Sequence, residues 1–203
     1  AIVLEPEVLL LDEPLSNLDA KLRRHVREEI RQIQQNLQLT AVYVTHDQEE
    51  AMAVSDRIIV MKNAEIAQEG TPHDLYERPN SSFIADFIGD ANLVDCEVVT
   101  VQNDQSDIIV SSRKLTTPNL FGCKGPSKMV LRPHDVVLAK PGEAGSFSGS
   151  ITYAAYLGSQ IQYTVDSELG ELFVISDVTA SPFSTGDDVS VRFDASSVKI
   201  VPS

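Results

Sequence analysis

Only two cysteines occur in the 203 residues, Cys96 and Cys123. They form no C-x-x-C pair and have no histidine at ligand spacing, so they read as free thiols in a reducing compartment. No apolar stretch approaches the length of a membrane span, and no signal peptide opens the chain. A cytosolic protein follows, with any membrane contact made through a partner. Basic charge is also short: 16 Lys and Arg face 30 Asp and Glu, a net charge of −14. Residues 1–93 hold 8 basic against 17 acidic residues (−9), and residues 94–203 hold 8 against 13 (−5). Neither half offers the basic excess that nucleic-acid binding needs. Finally, no G-x-x-x-x-G-K-[ST] loop exists to cradle nucleotide phosphates.

What is present begins with V-L-L-L-D-E-P-L-S-N-L-D, Val8 to Asp19. Four apolar residues without polar alternation suit a strand buried on both faces, as in a parallel sheet covered by helices. Two carboxylates, Asp12 and Glu13, follow at once. Parallel sheets place ligand chemistry at the carboxyl ends of their strands. There one acid can hold a divalent ion near a phosphate while its neighbour positions or deprotonates a water.

Thr40 to Thr45 (T-A-V-Y-V-T) is a β-branched, aromatic-bearing run that predicts a second buried strand, ending at His46-Asp47. Between the strands Leu18, Leu22, Val26, Ile30, Ile33 and Leu37 form one apolar stripe at helical spacing. Asp19 stands near that helix start, where a carboxylate suits the dipole. Lys21, Arg23, Arg24, Arg27, Glu28, Glu29 and Arg31 take the other faces, and mixed signs there predict a solvated surface. His25 falls among them without a role. A right-handed βαβ unit would bring Asp12, Glu13 and His46 to one edge of the sheet.

These motifs resemble the ATPase subunit of an ABC importer. Asp12-Glu13 look like the acidic end of the Walker B strand, Leu15-Ser16-Asn17-Leu18-Asp19 like the D-loop, and His46 in V-T-H-D-Q-E-E-A like the H-loop histidine. The resemblance implies ATP and Mg²⁺ as cofactors. Asp12 would hold Mg²⁺ through its water shell, Glu13 would polarise the attacking water, and His46 would touch the γ-phosphate. Ser16 and Asp19 would serve the nucleotide, Asp19 by reaching across a head-to-tail homodimer. Implied partners are integral membrane permease subunits and, indirectly, a solute-binding protein, which puts the chain at the cytoplasmic face of a bacterial inner membrane. No L-S-G-G-Q-like signature occurs, and Ala1-Ile2-Val3-Leu4 looks like the end of the signature helix. The chain then reads as the carboxyl-terminal part of a longer subunit, inactive alone. Without their flanking strands, Val8 to Leu11 and Ala41 to Val44 should present unpaired edges or bare faces.

Downstream, Arg57 to Met61 predicts a third strand, turning at Lys62-Asn63-Ala64. Family members usually carry Gly where Ala64 stands, since a type I′ turn needs φ > 0 at both central residues. Thr71 reads as the N-cap of a helix starting at Pro72, and Leu75-Tyr76 and Phe83-Ile84-Phe87-Ile88 supply faces for two short helices. From about Leu93 short alternating strands predict an all-β unit. Leu131-Arg132-Pro133-His134-Asp135 and Gly149 to Val165 resemble the OB-like extension called TOBE. The expected architecture is therefore α/β, the second half of a P-loop ABC ATPase domain over residues 1–92, then an all-β OB-like barrel over 93–203 with a regulatory role. Tyr153, Tyr156 and Tyr163 read as core or rim residues and His134 as a surface or structural one, not as nucleic-acid contacts. The run from Val42 to Leu93 looks most like ferric-iron importers, with polyamine, phosphonate and sugar importers as alternatives. A non-transport soluble ABC ATPase and a stand-alone β-barrel ligand-binding module are the readings from other classes.

Overall fold

Chain order in the computed structural model, which describes residues 6–178 and 182–202, begins with a strand, a helix and a second strand. The helix end expected at Ala1 to Leu4 lies outside the described residues. Strand β1 (Val8–Asp12) pairs in parallel with β2 (Thr40–Val44), in register from Val8 opposite Thr40 to Asp12 opposite Val44. Helix α1 (Ala20–Leu37) makes the crossover. Asp19 caps it, accepting from the amides of Lys21 (3.1 Å) and Leu22 (3.0 Å), and Gln38 ends it in the left-handed region at φ 51°. The strands show the bare faces expected without flanking strands, not the double burial that their composition alone suits. Leu10 is 73% exposed and Val44 53%, and no residue of α1 is buried. Two strands and one helix bury too little to cover both faces of the pair, so the apolar faces stand bare.

Helix α2 (Gln48–Val54) follows, then the antiparallel hairpin of β3 (Ile58–Lys62) and β4 (Glu65–Gly70). Asn63 and Ala64 take φ of 52° and 64°, so the turn forms with alanine in a conformation costing roughly 1–2 kcal/mol beyond glycine. Helix α3 (Pro72–Glu77) starts as read from the sequence. Thr71 Oγ1 accepts from the Asp74 amide at 3.1 Å, and Asp74 Oδ2 accepts from the Thr71 amide at 3.2 Å, a reciprocal cap.

The chain divides into two units between Tyr76 and Glu77, earlier than the composition change at Leu93. The reason is α4 (Ser82–Phe87), whose fully buried Ala85 lies in a core cluster of the second unit. Ala85 packs with Val130 and Val201, and buried Arg132 donates through Nη1 to the carbonyls of Ala85 (2.8 Å), Gly89 (3.1 Å) and Asp90 (3.1 Å). A guanidinium there satisfies carbonyls that the end of a helix leaves open.

The rest of that unit is antiparallel β-structure, and the described chain as a whole is mostly β with few helices. One sheet has the order β14 (Lys199–Pro202), β8 (Gly125–Leu131), β5 (Asn92–Gln102), β6 (Gln105–Val110), β7 (Arg113–Pro118). The other runs β12 (Gly170–Asp177), β11 (Gln160–Ser167), β10 (Phe147–Tyr156), β13 (Asp188–Arg192), β9 (Val137–Ala139). Among the described residues the strands form two five-stranded sheets, with no hydrogen-bonded ring closing them. Alternate residues of both enter one core, among them Ile108, Met129 and Ile200 from the first and Ile151, Val165 and Leu172 from the second. Asn92 ties the sheets together: its amide donates to the Phe173 carbonyl (2.8 Å) and accepts from the Phe173 amide (2.7 Å). Tyr163 is buried, while Tyr153 and Tyr156 are exposed. Cys96 and Cys123 are unbridged, as their spacing suggested. Among the described residues no helix is long and apolar enough to cross a membrane.

Candidate functional site

Parallel pairing brings the carboxyl ends of β1 and β2 side by side. The Glu13 amide continues the ladder by donating to the Val44 carbonyl at 2.8 Å. The chain then leaves the strand, with Glu13 in the left-handed region at φ 42°. Glu13 Oε1 meets His46 Nδ1 at 2.9 Å, 33 residues apart in sequence. The hydrogen bond and the charge of Glu13 both hold the His46 pKa above its ordinary value. The pair lies at the surface, the imidazole 76% exposed, so it is available to an incoming ligand.

Beneath it lies a charged network. Glu50 is 3% exposed, an expensive place for a carboxylate unless it is partnered. Its Oε2 accepts from Tyr43 Oη and Thr45 Oγ1, both at 3.0 Å, and Arg23 Nε stands 3.6 Å from Oε1. Burial, then the Glu50 hydrogen bond, pushes the Tyr43 hydroxyl far up, so it stays a donor. Asp47 caps α2 by accepting from the Glu50 amide (3.1 Å), and its own amide donates to Thr45 Oγ1 (3.0 Å). Arg23 reaches Asp47 Oδ2 at 3.3 Å and the Leu18 carbonyl at 3.1 Å. Glu13, Ser16 and His46 join these groups around a cleft of about 40 Å³, enough for a water or two and far too small for a nucleotide.

Of the residues singled out from the sequence, Glu13, His46 and Ser16 share this cleft. Ser16 Oγ donates to the Glu13 carbonyl at 3.1 Å, which tightens the turn beneath the acid. Asp12 ends β1 as an exposed residue beside them, and Asp19 is spent on capping α1. Among the described residues no group of three or more His, Cys, Asp or Glu side chains could hold a metal. Mg²⁺ often keeps several waters and takes one or two carboxylates, so the exposed carboxylate of Asp12 is of the chemical type that such an ion uses. Sequence reasoning missed Arg23, Tyr43 and Glu50. Arg23 was hidden in a mixed-charge helix face. A signal for Glu50 was present in Asp47-x-x-Glu50, a cap with an acid at the third helical position.

Residues 129–200 match the TOBE domain family. Over 201 residues, 99% of the chain and 57% of the relative, it is 51% identical to the Fe(3+) ions import ATP-binding protein FbpC of Brucella melitensis. The protein FbpC 1 of Rhizobium meliloti is 51% identical over the same span. The FbpC of Escherichia coli is 45% identical over 166 residues, 82% of this chain and 46% of that one. The chain therefore spans about half the length of the curated relatives it matches. A solved structure of the cytoplasmic molybdate-binding protein ModG matches 55% of the chain and 96% of its own, at 16% identity and a TM-score of 0.46.

Proposed function

We propose that this chain belongs with the ATP-binding subunits of ABC importers, as its likeness to Fe(3+) import ATP-binding proteins and its TOBE match support, and that it supplies the hydrolytic side of an ATP site that powers uptake of ferric iron. The relatives' names favour iron over the polyamine, phosphonate and sugar alternatives. The observation that carries the proposal is the contact of Glu13 with His46 across two parallel strands.

On this reading residues 1–92 are the second half of the ATPase domain and residues 93–203 a regulatory β-unit. Glu13 orients and polarises a water for attack on the γ-phosphorus. His46, as the imidazolium with its Nδ1–H donated to Glu13, donates its Nε2–H to a γ-phosphoryl oxygen. Asp12 would hold Mg²⁺ through water, and the ion would offset phosphate charge. Ser16 would serve the nucleotide and Asp19 would reach across a head-to-tail homodimer, which is coupled to permease subunits at the cytoplasmic face of the membrane and, through them, to a solute-binding protein. The phosphate-cradling lysine and glycine loop are not in this sequence, so the chain alone should not turn over ATP.

The test uses the full-length protein bearing this sequence. Glu13→Gln and His46→Ala should each bind ATP but hydrolyse it slower by orders of magnitude, because both groups act mainly on the transition state. Near-normal turnover in either variant would remove that residue's role.

A further inference from the structure

Three segments meet at one side chain that no part of the reaction described above uses. Arg23 lies on the first turns of α1, and its guanidinium touches three different places. Nη2 donates to the Leu18 carbonyl at 3.1 Å, Nη1 to Asp47 Oδ2 at 3.3 Å, and Nε lies 3.6 Å from Glu50 Oε1. The first belongs to the turn that carries Glu13 and Ser16, and the other two flank the turn that carries His46. The Nε atom is buried without a hydrogen bond among the described residues, while the side chain as a whole is 33% exposed. A helix face chosen for solvation would not place it there. A planar fork can hydrogen-bond the Leu18 carbonyl and Asp47 from separate nitrogens while Nε faces Glu50, a span that the compact ammonium of lysine covers less well.

We propose that Arg23 is a positioning residue, which locks the His46 turn onto the Glu13–Asp19 turn so that imidazole and carboxylate stay in register. Its effect on turnover rests on the ATPase reading, and its geometry does not. Asp47 and Glu50 receive the guanidinium, Thr45 and Tyr43 hold Glu50, and His46 is fixed between Thr45 and Asp47. Movement of the Leu18 turn is thereby transmitted to His46 through Arg23.

In the full-length protein Arg23→Met should lower kcat at least about tenfold, the scale of a catalytic group slightly misplaced, while KM for ATP changes less than about twofold. Arg23→Lys should recover part of the loss. In a His46→Ala background Arg23→Met should cost nothing further, because it acts through that imidazole. A second readout does not involve activity. With the ring neutral, the nitrogen-15 shifts of His46 should place its proton on Nδ1 in the parent and move toward the Nε2–H tautomer in Arg23→Met. The double variant Arg23→Met/Glu50→Gln guards against misfolding, since it leaves no buried carboxylate unpaired, and should show the same tautomer change. An unchanged tautomer in that folded variant, or a loss additive with His46→Ala, overturns the proposal. Should His46→Ala itself retain full turnover, the ATPase role of His46 fails, and the nitrogen shifts alone decide for or against Arg23.

Discussion

An exposed imidazole held 2.9 Å from a carboxylate has a definite electrical consequence. Protonation of His46 is favoured by the Glu13 hydrogen bond first and by its charge second, so the folded-state pKa lies above the ordinary value of 6.5. With a raised pKa, the stabilisation is complete below the unfolded-state pKa and disappears as pH rises through the higher folded-state value. A ring-proton titration by NMR should give His46 a midpoint above 6.5, and Glu13→Gln should bring it down toward that value by removing the charge. An identical midpoint in both proteins would mean that the contact is not formed in solution. Asp107 shows the opposite sign. Lys114 first, then Thr116 and Thr100, hold its carboxyl down to about 2, so their support persists above the ordinary carboxylate range and is lost only in strong acid.

Elements were legible in the sequence where local pattern decides them. The parallel pair, the crossover helix, the cap at Thr71 and the alternating strands after Leu93 all follow from periodicity and capping chemistry that act within a few residues. Burial took a second line of reasoning. Val8 to Leu11 has the composition of a doubly covered strand, and only the missing flanking strands led to the expectation of bare faces, which the exposure of Leu10 meets. The site was half legible for a related reason. Glu13 and His46 sit at strand ends, which topology brings together, whereas Arg23 joins them by tertiary contact from a helix face that looks merely solvated. Close packing within one sheet also hides in single residues. Gly149 pairs with Ser167 on one side and Val189 on the other, and an added Cβ would lie 2.9 Å from Val165 Cγ1 and 3.0 Å from the Asp166 carbonyl. Val165 is fully buried and the carbonyl is backbone, so neither yields easily. Gly149→Ala should destabilise the β-unit by about 1–3 kcal/mol, read as a lower Tm, and an unchanged or higher Tm would contradict the close packing.

For the whole molecule the division at Tyr76 and Glu77 has a practical meaning. The Arg132 clamp and the packing of Ala85 on Val130 and Val201 make α4 part of the β-unit, and Lys199 pairs with Glu77 at 2.9 Å at its very start. Limited proteolysis should leave a resistant fragment beginning near Glu77, with the bare strands and helix before it cut first. A fragment beginning near Leu93 instead would show that α4 is not held. Both thiols of the chain also lie in that unit. Cys96 is buried, and burial pushes it up to about 11, while Cys123 is only partly covered. The molecule therefore carries its own two-channel clock for opening: a thiol-reactive dye should mark Cys123 promptly and Cys96 only at the rate at which the sheets part. That rate reports on one unit of the chain and is blind to the other. Simultaneous labelling of both thiols in the native protein would mean that the core around Cys96 is already open.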